Sequence, residues 1–74
     1  MDFARAGEVF AGLTSTVVDH RFDYGETRFI TAGHLDERLI VVVWTQRGEA
    51  RHIISMRHCH AKEEEIWRRR MDRS

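Results

Sequence analysis

Arg38-Leu39-Ile40-Val41-Val42-Val43-Trp44-Thr45-Gln46 contains the longest apolar run of this 74-residue chain, six residues from Leu39 to Trp44. A short run of β-branched and aromatic side chains without helical spacing is strand material, and the most apolar strand belongs at a sheet centre. Thr27–Gly33 on one side and Arg51–Arg57 on the other have the same character. The intervening segments, His34–Glu37 and Arg47-Gly48-Glu49, are short enough for hairpins, so the three strands form an antiparallel meander. Val17-Val18 is long enough only for an edge strand or an extended arm, and Asp23-Tyr24-Gly25-Glu26 is turn chemistry.

Helices flank the strands. Asp2 is placed to cap a helix over Phe3–Leu13, whose Phe3, Ala6, Phe10 and Leu13 recur every three or four residues and make one buried stripe. Gly12 and Thr14-Ser15-Thr16 end it. From about His60 the composition turns to helix formers. Glu64 with Arg68, and Glu65 with Arg69, are i,i+4 pairs in the favourable order, and Arg68-Arg69-Arg70 suits the negative end of a helix dipole. Ile66, Trp67 and Met71 are expected to face the sheet. The sum is α+β: one antiparallel sheet of three or four strands with an N-terminal and a C-terminal helix, in a single domain over residues 1–74.

Composition narrows the function classes. One cysteine, Cys59, cannot form an internal bridge, so disulfides do not stabilise this small core. The run at Leu39–Trp44 is far shorter than the ~18 residues of a membrane span. The N-terminus lacks a basic segment followed by an apolar one, so no secretion signal is expected and the cytoplasm is the expected compartment. Twelve basic and twelve acidic residues cancel, yet residues 1–36 hold three arginines against six acids, and residues 37–74 hold nine basic residues against six acids. Eleven of the twelve cations are arginines, whose planar fork grips phosphate with two hydrogen bonds. A basic C-terminal half permits nucleic-acid contact without requiring it.

The chemistry concentrates in Arg51-His52-Ile53-Ile54-Ser55-Met56-Arg57-His58-Cys59-His60-Ala61-Lys62-Glu63. Alternation along a strand puts Arg51, Ile53, Ser55 and Arg57 on one face and His52, Ile54, Met56 and His58 on the other. Arg51 and Arg57 are then about 20 Å apart, too far to share one phosphate. RNA cleavage needs a base for the ribose 2′-hydroxyl, a cation for the phosphorane and an acid for the leaving 5′-oxygen. Arg57, His58, His60 and Glu63 supply those groups where a strand passes into a helix. Bland roles fit the same residues: Glu63 as the third-position carboxylate of a helix cap, Arg57 as a surface ion-pair residue, each histidine as an ordinary solvated or core side chain. His58-Cys59-His60 lacks the two spaced ligand pairs of structural zinc sites, and neither a metal nor a cofactor is expected.

Three segments carry a family resemblance. Tyr24-Gly25-Glu26-Thr27-Arg28-Phe29-Ile30-Thr31-Ala32-Gly33 resembles the approach to the first long strand of BrnT-type toxins. Leu39–Gly48 is similar to their central strand and hairpin, and Arg51–Arg57 followed by Glu63 to their most characteristic segment. The resemblance runs from about Asp2 to Arg69. It implies a RelE-like fold and a metal-independent endoribonuclease that arrests growth by cutting cellular RNA. It also implies a BrnA-type antitoxin that binds the toxin, blocks it and alone contacts DNA; the other reading is an inactive module that only binds antitoxin. By position, Ser55, Arg57 and Glu63 match the family motif, with Arg57 as the phosphate-binding cation and Glu63 as a base or orienting carboxylate. Arg51, His52 and Ser55 are the implied RNA contacts. Cys59 and His60 stand where a small residue and Asn or Thr are usual, and Trp67 where Tyr is frequent. The family also has an opening strand and helix ahead of the point where this sequence begins. Their absence predicts apolar sheet surface, around Val41 and Val43, left open to self-association or a partner.

Overall fold

A computed structural model describes residues 3–20 and 25–72. The chain runs through a single 3-10 turn, Phe3–Arg5, then α1 (Ala6–Ala11), β1 (Thr14–Val18), β2 (Arg28–Leu35), β3 (Arg38–Arg47), β4 (Ala50–His58) and α2 (Ala61–Asp72). The strands form one sheet in the order β1-β2-β3-β4, each antiparallel to the next. The expected α+β meander with a helix at each end is therefore present, and Val17-Val18 belongs to a full edge strand. Asp2, Asp23 and Tyr24 lie outside the described residues, so the proposed cap and the first half of the proposed turn have no structural counterpart here.

Each face of β3 is covered by a different helix. Ile40 and Val42 pack with Ala6 and Val9 of α1, Leu35 of β2 and Met56 of β4. Leu39 and Val41 point the other way and pack with Ala32, Trp67 and Met71, which brings α2 onto that face. Ile40, Val42 and Val9 have no solvent exposure. Hydroxyls accompany the apolar side chains only where they are satisfied. Thr31, fully buried, accepts a hydrogen bond from Trp44 Nε1 (2.8 Å) and shares another with Thr16 (2.8 Å), and Thr45 donates to the Thr27 carbonyl (2.6 Å).

The β2–β3 connection is tighter than the four residues His34–Glu37. Only Asp36 and Glu37 turn, both at positive φ (52° and 67°), the mirror-image geometry that matches strand twist in two-residue hairpins. Arg5 clasps Asp36 with two hydrogen bonds (2.6 and 2.8 Å) and also reaches Glu8 (2.8 Å), so the turn is tied to the start of α1.

Several expectations about burial are corrected. The N-terminal helix begins with a 3-10 turn and its α-helical part ends at Ala11, with Gly12 as C-cap. Its buried residues are Ala6 and Val9, while Phe3 (43 % exposed) and Leu13 (65 %) lie outside the interface. Leu13 falls beyond the helix end, where helical spacing no longer applies. On α2, Trp67 and Met71 are buried, but Ile66 is 58 % exposed. Adjacent helical positions differ by 100° in direction, so Ile66 and Trp67 cannot both face a narrow sheet. Val41 is 2 % exposed because α2 lies over it, whereas Val43 is half-buried.

The approach of α1 to the sheet depends on Gly33. A Cβ there would stand 2.7 Å from Val9 Cγ1, 3.0 Å from Thr14 Cγ2 and 3.2 Å from the Val9 carbonyl oxygen. Gly33→Ala is expected to destabilise the fold by about 1–3 kcal/mol, because the backbone carbonyl cannot yield cheaply. Urea denaturation checks this, and a loss below about 0.5 kcal/mol would show that α1 is not seated as described.

Candidate functional site

The strand carrying the candidate residues is irregular. Val43 pairs with Ser55 and Trp44 with Ile53, so Ile54 is the extra residue of a β-bulge. A bulge resets the alternation of side chains, and this one redistributes the whole segment. Arg51, Ile53, Met56 and His58 share the α1 face; His52, Ser55 and Arg57 share the α2 face. The regular alternation expected from the sequence is wrong on this point. It grouped Arg51 with Arg57, and the bulge puts them on opposite faces.

Arg51 has aromatic neighbours. Its guanidinium lies 4.0 Å from the centroid of Phe10 and 5.3 Å from that of Trp44. Trp44 itself stacks on Phe29 (4.6 Å) and meets Phe10 edge-on (5.6 Å). The arginine therefore closes an aromatic cluster at one end of the α1 face. His58 is on that side too, opposite Ile40.

Arg57 and Glu63 meet where β4 hands over to α2. Arg57 Nη1 donates to Glu63 Oε1 (2.6 Å) and Nη2 to Oε2 (2.7 Å), a bidentate fork, and Nη1 also reaches the His58 carbonyl (3.3 Å). Glu63 simultaneously accepts the backbone N–H of His60 (3.3 Å), the residue before α2, and so acts as the third-position carboxylate that caps the helix start. The capping and ion-pair roles are thus both real and belong to one carboxylate. Arg57 holds the Glu63 carboxyl below the usual carboxylate range, and the His60 amide adds to this against a partial burial that opposes it. The Arg57 side chain keeps 49 % of its surface in solvent, against 26 % for Glu63.

Cys59 lies between these groups, its amide bonded to the Leu39 carbonyl (3.0 Å). Burial, with the nearby Glu63 charge, pushes its thiol up to about 11. A thiol so raised is protonated at neutral pH and a poor nucleophile. Among the described residues no three His, Cys, Asp or Glu side chains converge as metal ligands.

Beside the ion pair runs a groove of about 670 Å³ between α2 and β1, lined by Val17, His60, Ala61, Lys62, Glu63, Ile66, Trp67 and Arg70. His60 and Glu63 form its margin, so the strand-to-helix junction opens into a cleft. Sequence reasoning placed Ile66 in the core and missed this groove. The available signal was the Lys62–Ile66–Arg70 spacing, which lines up one flank of α2.

A family model described as the ribonuclease toxin BrnT of type II toxin–antitoxin systems matches residues 1–63. The chain belongs to the BrnT toxin family. No curated protein and no solved structure matches it. The matched span takes in all four strands, Arg57 and His60, and ends on Glu63; most of α2 lies beyond it. Membership of a type II toxin family implies a protein antitoxin as partner. No helix among the described residues of this BrnT-family chain is long and apolar enough to cross a membrane.

The Arg57–Glu63 pair has a pH signature. In the unfolded chain Glu63 titrates near its ordinary value of about 4.5, and in the folded chain below it, so the pair's stabilisation is complete above that value and lost as pH falls through the folded-state value. Glu63→Gln removes the charge but leaves an amide able to cap. At pH 7 this variant is expected to be less stable by up to about 1 kcal/mol, the range of exposed pairs, with the gap narrowing below about pH 4.5. Urea denaturation across pH checks this; a gap that stays constant from neutral to acid pH would show that the charge contributes nothing.

Proposed function

We propose that this BrnT-family chain is a metal-independent endoribonuclease whose site is built on Arg57, Glu63 and His60, and that a BrnA-type antitoxin neutralises it in the cytoplasm. The observation that carries this reading is the bidentate Arg57–Glu63 fork, whose carboxylate lines the groove and also binds the His60 backbone N–H.

In this reaction the ribose 2′-oxygen attacks phosphorus, the bond from phosphorus to the 5′-oxygen breaks, and a 2′,3′-cyclic phosphate and a free 5′-hydroxyl result. One proton leaves the 2′-hydroxyl and one reaches the 5′-oxygen. Arg57 binds the non-bridging phosphate oxygens and stabilises the charge that grows on them. Two of its N–H donors hold Glu63 and Nη1 also reaches the His58 carbonyl, while about half of the side-chain surface faces the solvent from which a phosphate arrives. Glu63 fixes the plane of the guanidinium. Its lowered pKa suits a permanently ionised orienting group better than a base, so it is assigned as a positioning residue. His60, at the groove margin, is the proton carrier. His52 and Ser55 share Arg57's face of β4 and are assigned to contacts along the RNA. Arg51 and His58, on the other face, are left outside the site.

Induced expression in bacteria, with purified chain incubated with RNA in the presence of EDTA, tests this. Arg57→Ala is expected to lower cleavage by about 10²-fold or more and to relieve growth arrest at equal abundance, as loss of a transition-state donor does. Glu63→Gln is expected to lower kcat while leaving KM within about twofold, with Glu63→Asp restoring part of the loss. Growth arrest and RNA cleavage unchanged in Arg57→Ala would remove the site. A wild-type chain that binds antitoxin without cutting RNA would leave the inactive binding module as the better description.

A further inference from the structure

The groove beside the ion pair is mostly apolar, and its charged lining residues are Lys62, Arg70 and the already paired Glu63, in a chain with no net charge. Ile66 is 58 % exposed on one wall, with the Trp67 edge below it and Val17 of β1 opposite. Val17 belongs to a cross-strand row, Val17–Ile30–Val43, all on the α2 face and all half-buried, because α2 covers only the neighbouring row. An isoleucine this exposed beside a half-covered apolar row is surface that a partner covers.

The charges say what kind of partner. Glu64 and Glu65 are engaged by Arg68 and Arg69, and Glu63 by Arg57. Lys62 and Arg70, at positions 62 and 70 on either side of Ile66, have no carboxylate partner among the described residues. Arg70 lies over the Trp67 ring (5.7 Å) and lines the adjoining depression with Ser15 and Arg69. The cations are separated by eight residues of helix, about 12 Å, with the apolar contact between them. A segment that fits has apolar side chains on one stripe and carboxylates at both ends.

We propose that this groove, between α2 and β1, is where an acidic amphipathic segment of the antitoxin docks, its apolar stripe on Ile66 and Val17 and its carboxylates on Lys62 and Arg70. This rests on the toxin reading given above and adds to it a location and a chemistry for the inhibitor. Ile66 fills the role of anchor and Lys62 and Arg70 set the register of the docked segment.

Calorimetric titration of the full chain with a purified BrnA-type antitoxin tests the proposal. Ile66→Asp is expected to weaken binding by about tenfold or more, as loss of a central apolar anchor does. Arg70→Glu, at an exposed position and with its fold checked by urea denaturation because Arg70 lies over the Trp67 ring, is expected to weaken it several-fold and to flatten its dependence on salt. Leu13→Asp, equally exposed but outside the groove, is expected to stay within about twofold of wild type. Unchanged affinity in both groove variants overturns the proposal, as does a wild-type chain that does not bind the antitoxin. Loss of binding to a labelled RNA oligonucleotide, with antitoxin binding intact, assigns the groove to substrate and overturns it too. A dimer of this chain that Ile66→Asp dissociates, again with antitoxin binding intact, does the same. Antitoxin affinity is measured without reference to cleavage, so the docking site and the catalytic site fail separately.

Discussion

A strand that is apolar on both faces obliges a small protein to cover both sides of its sheet, and β3 sets that obligation here. Ile40 and Val42 need one lid, Leu39 and Val41 another, and the chain supplies one helix for each. A six-residue helix and a twelve-residue helix cannot shield a four-stranded sheet completely. The deficit falls in identifiable places: the Phe29–Trp44 end of the α1 face, closed by Arg51, and the Val17–Ile30–Val43 row beside α2. The first is sealed within the chain by a cation over aromatic rings. The second stays half open, next to the residues assigned to chemistry. A three-layer arrangement built from so few residues therefore leaves half-covered apolar surface beside the groove in which the antitoxin is proposed to dock.

Much of this was legible in the primary structure, and what was not has physical causes. Strand positions were readable because Leu39–Trp44 is too short and too β-branched for anything else in its context, and because Gly48 and Asp36 mark tight turns. The C-terminal helix was readable from its Glu–Arg pairs, which form as expected. Helix burial was less so. Assigning Phe3, Phe10 and Leu13 to a stripe presumed one uninterrupted helix, but the 3-10 turn changes the angular step at Phe3 and Gly12 releases Leu13. Val9, the fully buried residue of α1, escapes that stripe because the spacing was carried from Ala6 four residues on to Phe10 rather than three on to Val9.

The site shows the same division more sharply. Glu63 at the third helical position and Arg57 at the strand end were visible as chemistry at a junction, and they do meet. Which residues share their face was not visible. Ile53-Ile54 is compatible with a regular strand covered on both sides, and nothing in the two residues announces that one of them is skipped. A single unpaired residue moves Arg51, Ile53, Met56 and His58 together, so one local irregularity decides which half of the candidate set can touch one substrate. Family resemblance, which works by position along the chain, does not carry that information either.

The bulge also explains why the ion pair sits where it does. Met56 must enter the α1-side core opposite Val42, which sends Arg57 to the α2 side, and α2 must begin four residues later to bring Trp67 and Met71 over Val41. A guanidinium is then forced close to the first turn of a helix, where an unpaired cation faces the positive end of the dipole. Glu63 resolves the conflict, since its carboxylate satisfies both the helix start and the arginine. Once held by that fork, Arg57 has a defined plane and costs little further ordering when a phosphate arrives. The structural clamp and the proposed phosphate-binding cation are then one arrangement: the fork that holds the junction together also fixes the plane of the guanidinium.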